Sequence, residues 1–290
     1  MRTDVGLSVG AEVGDKVLDV AATGARLGLA APADMDQLLQ NGLADQVLAI
    51  IDAARSRPDS AVLIDRDTVR FAPLVTRPEK IICVGFNYRA HAEEIGTPVP
   101  IRPPLFSKFR NALNHHEGTV ILPIALDDRF DFETELVVVF GTECRNVPRD
   151  EALDVVAGYT VGNDVSARTL QTATSQFLAG KTCDGFAPIG PWLTPAGLIS
   201  DPNDLRLRTT MNGVTRQDWN TRDMIFDCRA LIAYCSSLMT IRPGDILFTG
   251  TPQGVIFGEK APPEQRRWLR AGDEIVSSLE GLGELRITCA

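Results

Sequence analysis

The sequence predicts a β-rich α+β fold with a small α+β unit at its N-terminus. Three observations carry this expectation. Short apolar runs of strand length outnumber helical patterns, Gly-rich turns separate them, and strands and helices do not alternate as they would in a βαβ sheet. At 290 residues, 44% of them hydrophobic, the chain is long enough for a sizeable core and for one large domain beside a small one. The expected division is 1–75 for the small unit and 76–290 for the large one.

In the first unit, residues 5–9 and 16–20 read as short strands around a turn at 13–15. Met35, Leu38, Leu39, Leu43, Val47 and Ile50 recur with helical period over 34–54, and Asp34 is placed to cap that helix. Two prolines make 70–80 a linker. The large unit opens with a strand at 80–84, a short helix over 87–94 and a proline-rich loop at 97–104. Further strands are expected at 119–122, 135–140, 156–161, 205–211, 245–248 and 284–288, and helices at 150–155 and 224–239.

Charge and composition exclude several function classes. The net charge of −9 and the lack of a basic stripe argue against nucleic acid as a partner. No apolar run is long enough to span a bilayer, and the first twenty residues carry Asp4, Glu12, Asp15 and Asp19, unlike a signal peptide. Six cysteines without a Cys-x-x-Cys pair point away from a thiolate zinc site and a disulfide framework, and toward reduced thiols in the cytoplasm. Neither Gly-x-Gly-x-x-Gly nor a Walker A pattern is present, which removes the common nucleotide readings.

The most informative stretch is Asp131-Phe-Glu-Thr-Glu-Leu-Val-Val-Val-Phe140, read as one strand that begins acidic and ends apolar. Strand alternation puts Asp131, Glu133 and Glu135 on one face, while 136–140 is apolar on both. Carboxylates aligned at the mouth of a buried strand repel one another, and a hard divalent cation is the natural compensation. Asp164 follows a second β run that ends at Gly162, so Glu133, Glu135 and Asp164 would form an all-oxygen set suited to Mg²⁺ or Mn²⁺. His91 and Glu94 are three apart on a helix, the spacing at which a carboxylate orients an imidazole for general-base work. Lys181 could offset the site's negative charge, and the loop Thr249-Gly-Thr-Pro-Gln-Gly254 could cradle a carboxylate with its amides and hydroxyls. His115 and His116 read as loop residues.

Several segments in this order resemble the fumarylacetoacetate hydrolase family over roughly 78–290. They are Val84-Gly-Phe-Asn-Tyr-Arg-Ala-His91, Asp131-Phe-Glu-Thr-Glu-Leu136, Ala157-Gly-Tyr-Thr-Val-Gly-Asn-Asp-Val-Ser-Ala-Arg168, Gly180-Lys-Thr-Cys-Asp-Gly-Phe186, Gly190-Pro-Trp192, Thr249-Gly-Thr-Pro252 and Glu280-Gly-Leu-Gly-Glu284. The first 75 residues resemble the small N-terminal unit of longer bacterial members. The resemblance implies a mixed β-sheet roll with one Mg²⁺ or Mn²⁺ on Glu133, Glu135 and Asp164. It implies a catalytic His91–Glu94 pair on a lid, Lys181 beside the metal, and Arg168, Gln171 and Thr251 near substrate. It also implies a homodimer. Of the carboxylates on the acidic strand it carries over only the two glutamates as ligands, leaving Asp131 as a supporting or rim residue.

The activity so implied is hydrolysis of a C–C bond in a 2,4-dioxo acid of the acylpyruvate or fumarylpyruvate type, with the dyad activating water. Oxaloacetate decarboxylation is the alternative, and isomerisation or hydration of unsaturated 2-oxo acids comes third. A non-catalytic binding protein would be signalled by a lost ligand or dyad residue, and none is lost. The chain departs from the family pattern at 254–268 and at Asn114-His-His-Glu117, both expected at the pocket rim.

Overall fold

The structure is a computed structural model that describes residues 1–4 and 6–290. Its centre is a seven-stranded mixed sheet in the order Leu105–Lys108, Ile81–Val84, Ile246–Phe248, Thr134–Phe140, Val156–Asn163, Ala187–Pro195, Leu113–His115. Two neighbouring pairs are parallel, Ile246–Phe248 with Ile81–Val84 and Ala187–Pro195 with Leu113–His115; the others are antiparallel. A five-stranded sheet, Val214–Asn220, Arg206–Met211, Glu274–Leu279, Gly283–Cys289 and Gly118–Val120, covers one face. Between the sheets lie Leu136, Val138, Val161, Leu207, Ile275 and Ile287. On the other face Val137, Val139, Ile246 and Phe248 pack with Leu39 and Val75 from the N-terminal part. A strand covered on both faces has no solvent side, which is why 136–140 of Thr134–Phe140 reads as an unbroken apolar run.

The N-terminal residues build a three-stranded antiparallel sheet, Gly10–Val13, Lys16–Asp19 and Leu63–Asp65, with helices Val20–Leu27, Met35–Gln40 and Ala44–Ser56. Val9, Val20, Val47 and Ile50 form its own small core. Asp34 caps its helix as the sequence indicates, accepting from Gln37 N at 2.7 Å.

Four expectations are corrected. The strand expected at 5–9 is shorter, Gly6–Leu7, and pairs with Arg2–Thr3, while Gly10–Val13 is the partner of Lys16–Asp19; Val5 lies outside the described residues. The helix expected over 34–54 is two helices, because Gly42 takes a left-handed φ of 63° that ends the first. The acidic strand is also two pieces, Phe130–Asp131 and Thr134–Phe140, pairing with different partners. His115 ends a strand, Leu113–His115, that pairs beside Ile189. No helix among the described residues is long and apolar enough to cross a membrane.

The pairing of Thr134–Phe140 with Val156–Asn163 needs a glycine at 162. A Cβ there would overlap Val137 Cγ2 and stand 2.7 Å from Phe248 Cε1, both in fully buried side chains. Gly162→Ala should therefore destabilise the fold by about 1–3 kcal/mol, the range for overpacking. Urea denaturation checks this, and an unchanged midpoint would refute it.

Candidate active site

Antiparallel pairing brings the start of one strand to the end of the next. Thr134 stands opposite Asn163 and Glu135 opposite Gly162, and Asp164 N donates to Glu133 O at 2.8 Å. Glu133, Glu135 and Asp164 thereby converge, each offering an oxygen within 4.8 Å of the others, all buried. The set holds oxygen donors only, the chemistry that suits Mg²⁺ or Mn²⁺.

Three buried cations surround these acids. Lys181 Nζ lies 2.7 Å from Glu133 Oε2 and 2.8 Å from Asp164 Oδ2. Arg168 reaches Glu133 Oε1 at 2.7 Å with one nitrogen and binds Asp131 Oδ2 with two others, at 3.0 and 2.7 Å. Lys108 Nζ lies 2.6 Å from Asp164 Oδ1, but its three protons go to the carbonyls of Val165, Lys181 and Phe186. Asp164 Oδ1 is therefore a buried oxygen with a nearby charge and no hydrogen-bond donor. Glu135 has no cationic partner among the described residues; Gly250 N donates to its Oε2 at 2.6 Å. Four buried acids, Asp131 included, thus face three cations. The unmet charge sits at Glu135 and the unmet oxygen on Asp164, where a divalent ion would supply both needs.

The electrostatics follow. Burial pushes Glu133 up, but Lys181 and then Arg168 outweigh it and hold the carboxyl well below its ordinary value. Burial, then the charges of Asp164 and Glu133, hold Glu135 well above its ordinary value. Burial disfavours charge on Lys181, yet Asp164 and Glu133 outweigh it and raise its pKa.

A cleft of about 220 Å³ opens onto this set. Glu133, Glu135, Lys181, Arg168, Gln171, Thr251 and His91 all line it, with Phe86, Phe106, Phe177 and Phe257 as aromatic walls. His91 lies on the helix Arg89–Glu94, its Nδ1 3.4 Å from Glu94 Oε2. Asn87 fixes the start of that helix, donating to the carbonyls of Thr249 and Phe226 at 2.7 and 3.0 Å and accepting from Phe226 N at 2.9 Å. Gln171 Oε1 accepts from Arg168 at 2.9 Å, and the Thr251 hydroxyl donates to Thr134 O at 2.9 Å. Every site residue proposed from the sequence thus lies in one neighbourhood, Glu94 immediately behind the cleft wall.

One expectation is resolved here and one corrected. Of the two places left open for Asp131, support or rim, the structure gives the first: it is fully buried, tied to Arg168, which itself holds Glu133, and to the turn at 256–257. Asn114-His-His-Glu117 does not reach the cleft. Asn114 bonds Thr119 O, and His116 accepts from Arg286 N, so this segment joins the two sheets instead. Two residues were missed. Asn87 stood inside a quoted motif without a role. Lys108 had a signal, because alternation along Leu105–Lys108 puts it on the same side as Phe106, an inward lysine on an apolar strand.

The profile of the fumarylacetoacetate (FAA) hydrolase C-terminal family matches residues 80–290. The chain belongs to the fumarylacetoacetate hydrolase family. Among its relatives, the mitochondrial oxaloacetate tautomerase Fahd2a of Rattus norvegicus is 40% identical, over 88% of this chain and 79% of that protein. The solved fumarylacetoacetate hydrolase of Exiguobacterium antarcticum is 31% identical with a TM-score of 0.84, covering 99% of this chain and 96% of its own. The maleylpyruvate hydrolase of Sphingobium, solved with manganese(II) and pyruvate, is 30% identical with a TM-score of 0.79, covering 100% and 97%. Family members therefore carry hydrolase, isomerase and tautomerase names on one fold.

Lys108→Met would strand Asp164 and three buried carbonyls, so it should cost about 3–5 kcal/mol, as removal of one partner from a buried ion pair does. Chemical denaturation measures it, and a loss below about 1 kcal/mol would show that Lys108 carries no such role. A second expectation concerns pH. Glu135 holds its proton above the ordinary value of 4.5, so the unfolded chain deprotonates first as pH rises, and the ion-free fold loses stability through that window. Glu133 acts in the opposite sense: its contribution is present above 4.5 and is lost as pH falls toward its lower folded value. A divalent ion held there would replace the Glu135 proton, so the rise in Tm caused by Mn²⁺ should be larger at about pH 8 than at about pH 5.5. A pH-independent rise would remove Glu135 from the ion's surroundings.

Proposed function

We propose that this chain is a divalent-metal enzyme that interconverts the keto and enol forms of a short 2-oxo acid of the oxaloacetate type. One observation carries the reading: His91, backed by Glu94, lines the same small cleft as Glu133 and Glu135. Mg²⁺ or Mn²⁺ on Glu133, Glu135 and Asp164 would supply a Lewis acid that polarises the 2-oxo carbonyl and makes the adjacent carbon more acidic.

The chain's own groups do the rest. His91 takes the proton from the carbon beside the carbonyl and returns it at oxygen, so one proton moves and no bond to carbon other than C–H breaks. Glu94 orients the imidazole and stabilises the cation it becomes. Lys181 and Arg168 keep Glu133 ionised and fixed. Thr251 and Gln171 offer neutral polar contacts for the substrate. The aromatic walls exclude water from the reacting atoms, which strengthens each electrostatic contact there.

Keto–enol interconversion takes precedence here over the C–C hydrolysis indicated by the sequence. The tautomerase relative shares 40% identity along most of both chains, which supports enol chemistry on oxaloacetate. Hydrolysis of a 2,4-dioxo acid stays as the second reading, because the same imidazole can draw its proton from water and the maleylpyruvate hydrolase aligns along the whole chain.

With Mn²⁺ present, the protein should accelerate ketonisation of enol-oxaloacetate over the buffer rate, followed by loss of enol absorbance. Pyruvate release from maleylpyruvate would favour hydrolysis, and pyruvate release from oxaloacetate would favour decarboxylation. His91→Asn should lower kcat by roughly 10²–10⁴-fold, the usual worth of a positioned acid–base group. Glu133→Ala should abolish both activity and the Mn²⁺-induced rise in Tm. No ketonisation above buffer by the wild-type protein would overturn the proposal.

A further inference from the structure

The segment at 254–258, where the sequence departs from the family pattern, bears directly on the dyad. Ile256–Gly258 form a single tight turn. Its backbone hangs on Asp131, whose Oδ1 accepts from Ile256 N at 2.9 Å and whose Oδ2 accepts from Phe257 N at 2.8 Å. From the other side Arg266 donates to Phe257 O at 2.6 Å. The turn is thereby held at both flanks by charged groups.

Glu94 lands on this turn. Gly254 N lies 3.1 Å from Glu94 Oε1 and 3.3 Å from Oε2. Gly258 faces the same side chain. An ideal Cβ at 258 would overlap Glu94 Cδ and Oε2, and the three atoms nearest to it all belong to the Glu94 side chain. That Oε2 is the oxygen facing His91 Nδ1. Gly258 has no positive φ, so its backbone would accept any residue. Glycine is needed at 258 for space, and the space is filled by one carboxylate.

The geometry points to Gly258 as a positioning residue of the dyad: the turn at 254–258, hung on Asp131, is the seat that sets the Glu94 carboxylate against His91. This rests on the reading of His91 as the proton-transfer group. The turn belongs to the machinery twice, through Phe257 at the cleft wall and through the seat it gives Glu94.

The test compares Gly258→Ala, Glu94→Gln and the double variant in the Mn²⁺-loaded protein, assayed by oxaloacetate ketonisation. Gly258→Ala should lower kcat by about 10–100-fold, as a displacement of about 1 Å does, with KM and Mn²⁺ affinity within about twofold. The double variant should be no worse than the poorer single one, because both remove the same contact. In NMR spectra the His91 ring signals of Gly258→Ala should move toward those of Glu94→Gln, while His115 and His116 stay put. In a Glu94→Asp background the shorter acid leaves room for the methyl group, so adding Gly258→Ala should cost less than about twofold. An impaired Glu94→Gln beside a Gly258→Ala of wild-type kcat would overturn the seat, and so would losses that multiply in the double variant. An unimpaired Glu94→Gln would instead overturn the dyad reading, and the His91 signals would then decide the seat by themselves.

Discussion

The organising constraint is the mutual repulsion of carboxylates that the fold buries at the head of its central strand. Glu133, Glu135 and Asp164 sit within reach of one another in a place with little water, and Asp131 lies buried nearby. Such charges persist only if each is matched. Lys181, Lys108 and Arg168 match three of them, and each comes from a different part of the chain. The local strand, helix and loop geometry around the site is the geometry that delivers those three side chains. What they leave without a partner, the Glu135 carboxyl and an oxygen of Asp164, is where a divalent ion would fit.

The same constraint links the acids to the dyad. The chain between Thr249 and Gly258 touches every part of the site in turn. Gly250 N supports Glu135, Thr251 lines the cleft, Gly254 N meets Glu94, and the amides of Ile256 and Phe257 rest on Asp131. Asp131 is shared with Arg168, which is shared with Glu133. A continuous set of charged hydrogen bonds therefore runs from the acid set to the seat of Glu94. Charge-assisted bonds of this kind are short and directional, which fixes positions more firmly than packing alone. The position of His91 relative to the acids is in this way a property of the whole network.

Family membership leaves the reaction open for a physical reason. Enolisation, decarboxylation and C–C hydrolysis of a 2-oxo acid share the same polarised carbonyl and the same need for a placed base. The common machinery cannot separate them. The walls and the access of water can, and here those are Phe86, Phe106, Phe177 and Phe257 around a cleft of about 220 Å³. Arg168 lies with its guanidinium 5.0 Å from the centre of the Phe257 ring, so the wall and the charge network meet at that residue.

By itself the sequence determined the β-rich class, most of the strands of the large unit and, through motifs that resemble a family, which residues to propose for the site. These are legible locally: apolar runs mark buried strands, and a carboxylate set in a motif keeps its spacing whatever surrounds it. The tertiary structure decided the rest. It divided the acidic strand at 132–133, because Asp131 bonds a distant turn while Thr134 bonds the facing sheet through Ser277 and Thr209. It took Asn114 and His116 away from the cleft, and it brought Lys108 to Asp164 across 56 residues of chain. It also gave the segment at 254–258, whose Phe257 stands at the cleft as expected, a second role as a support for Glu94. Each of these depends on a contact between residues far apart in the chain. Periodicity reports which way a side chain points, but not what it will meet there.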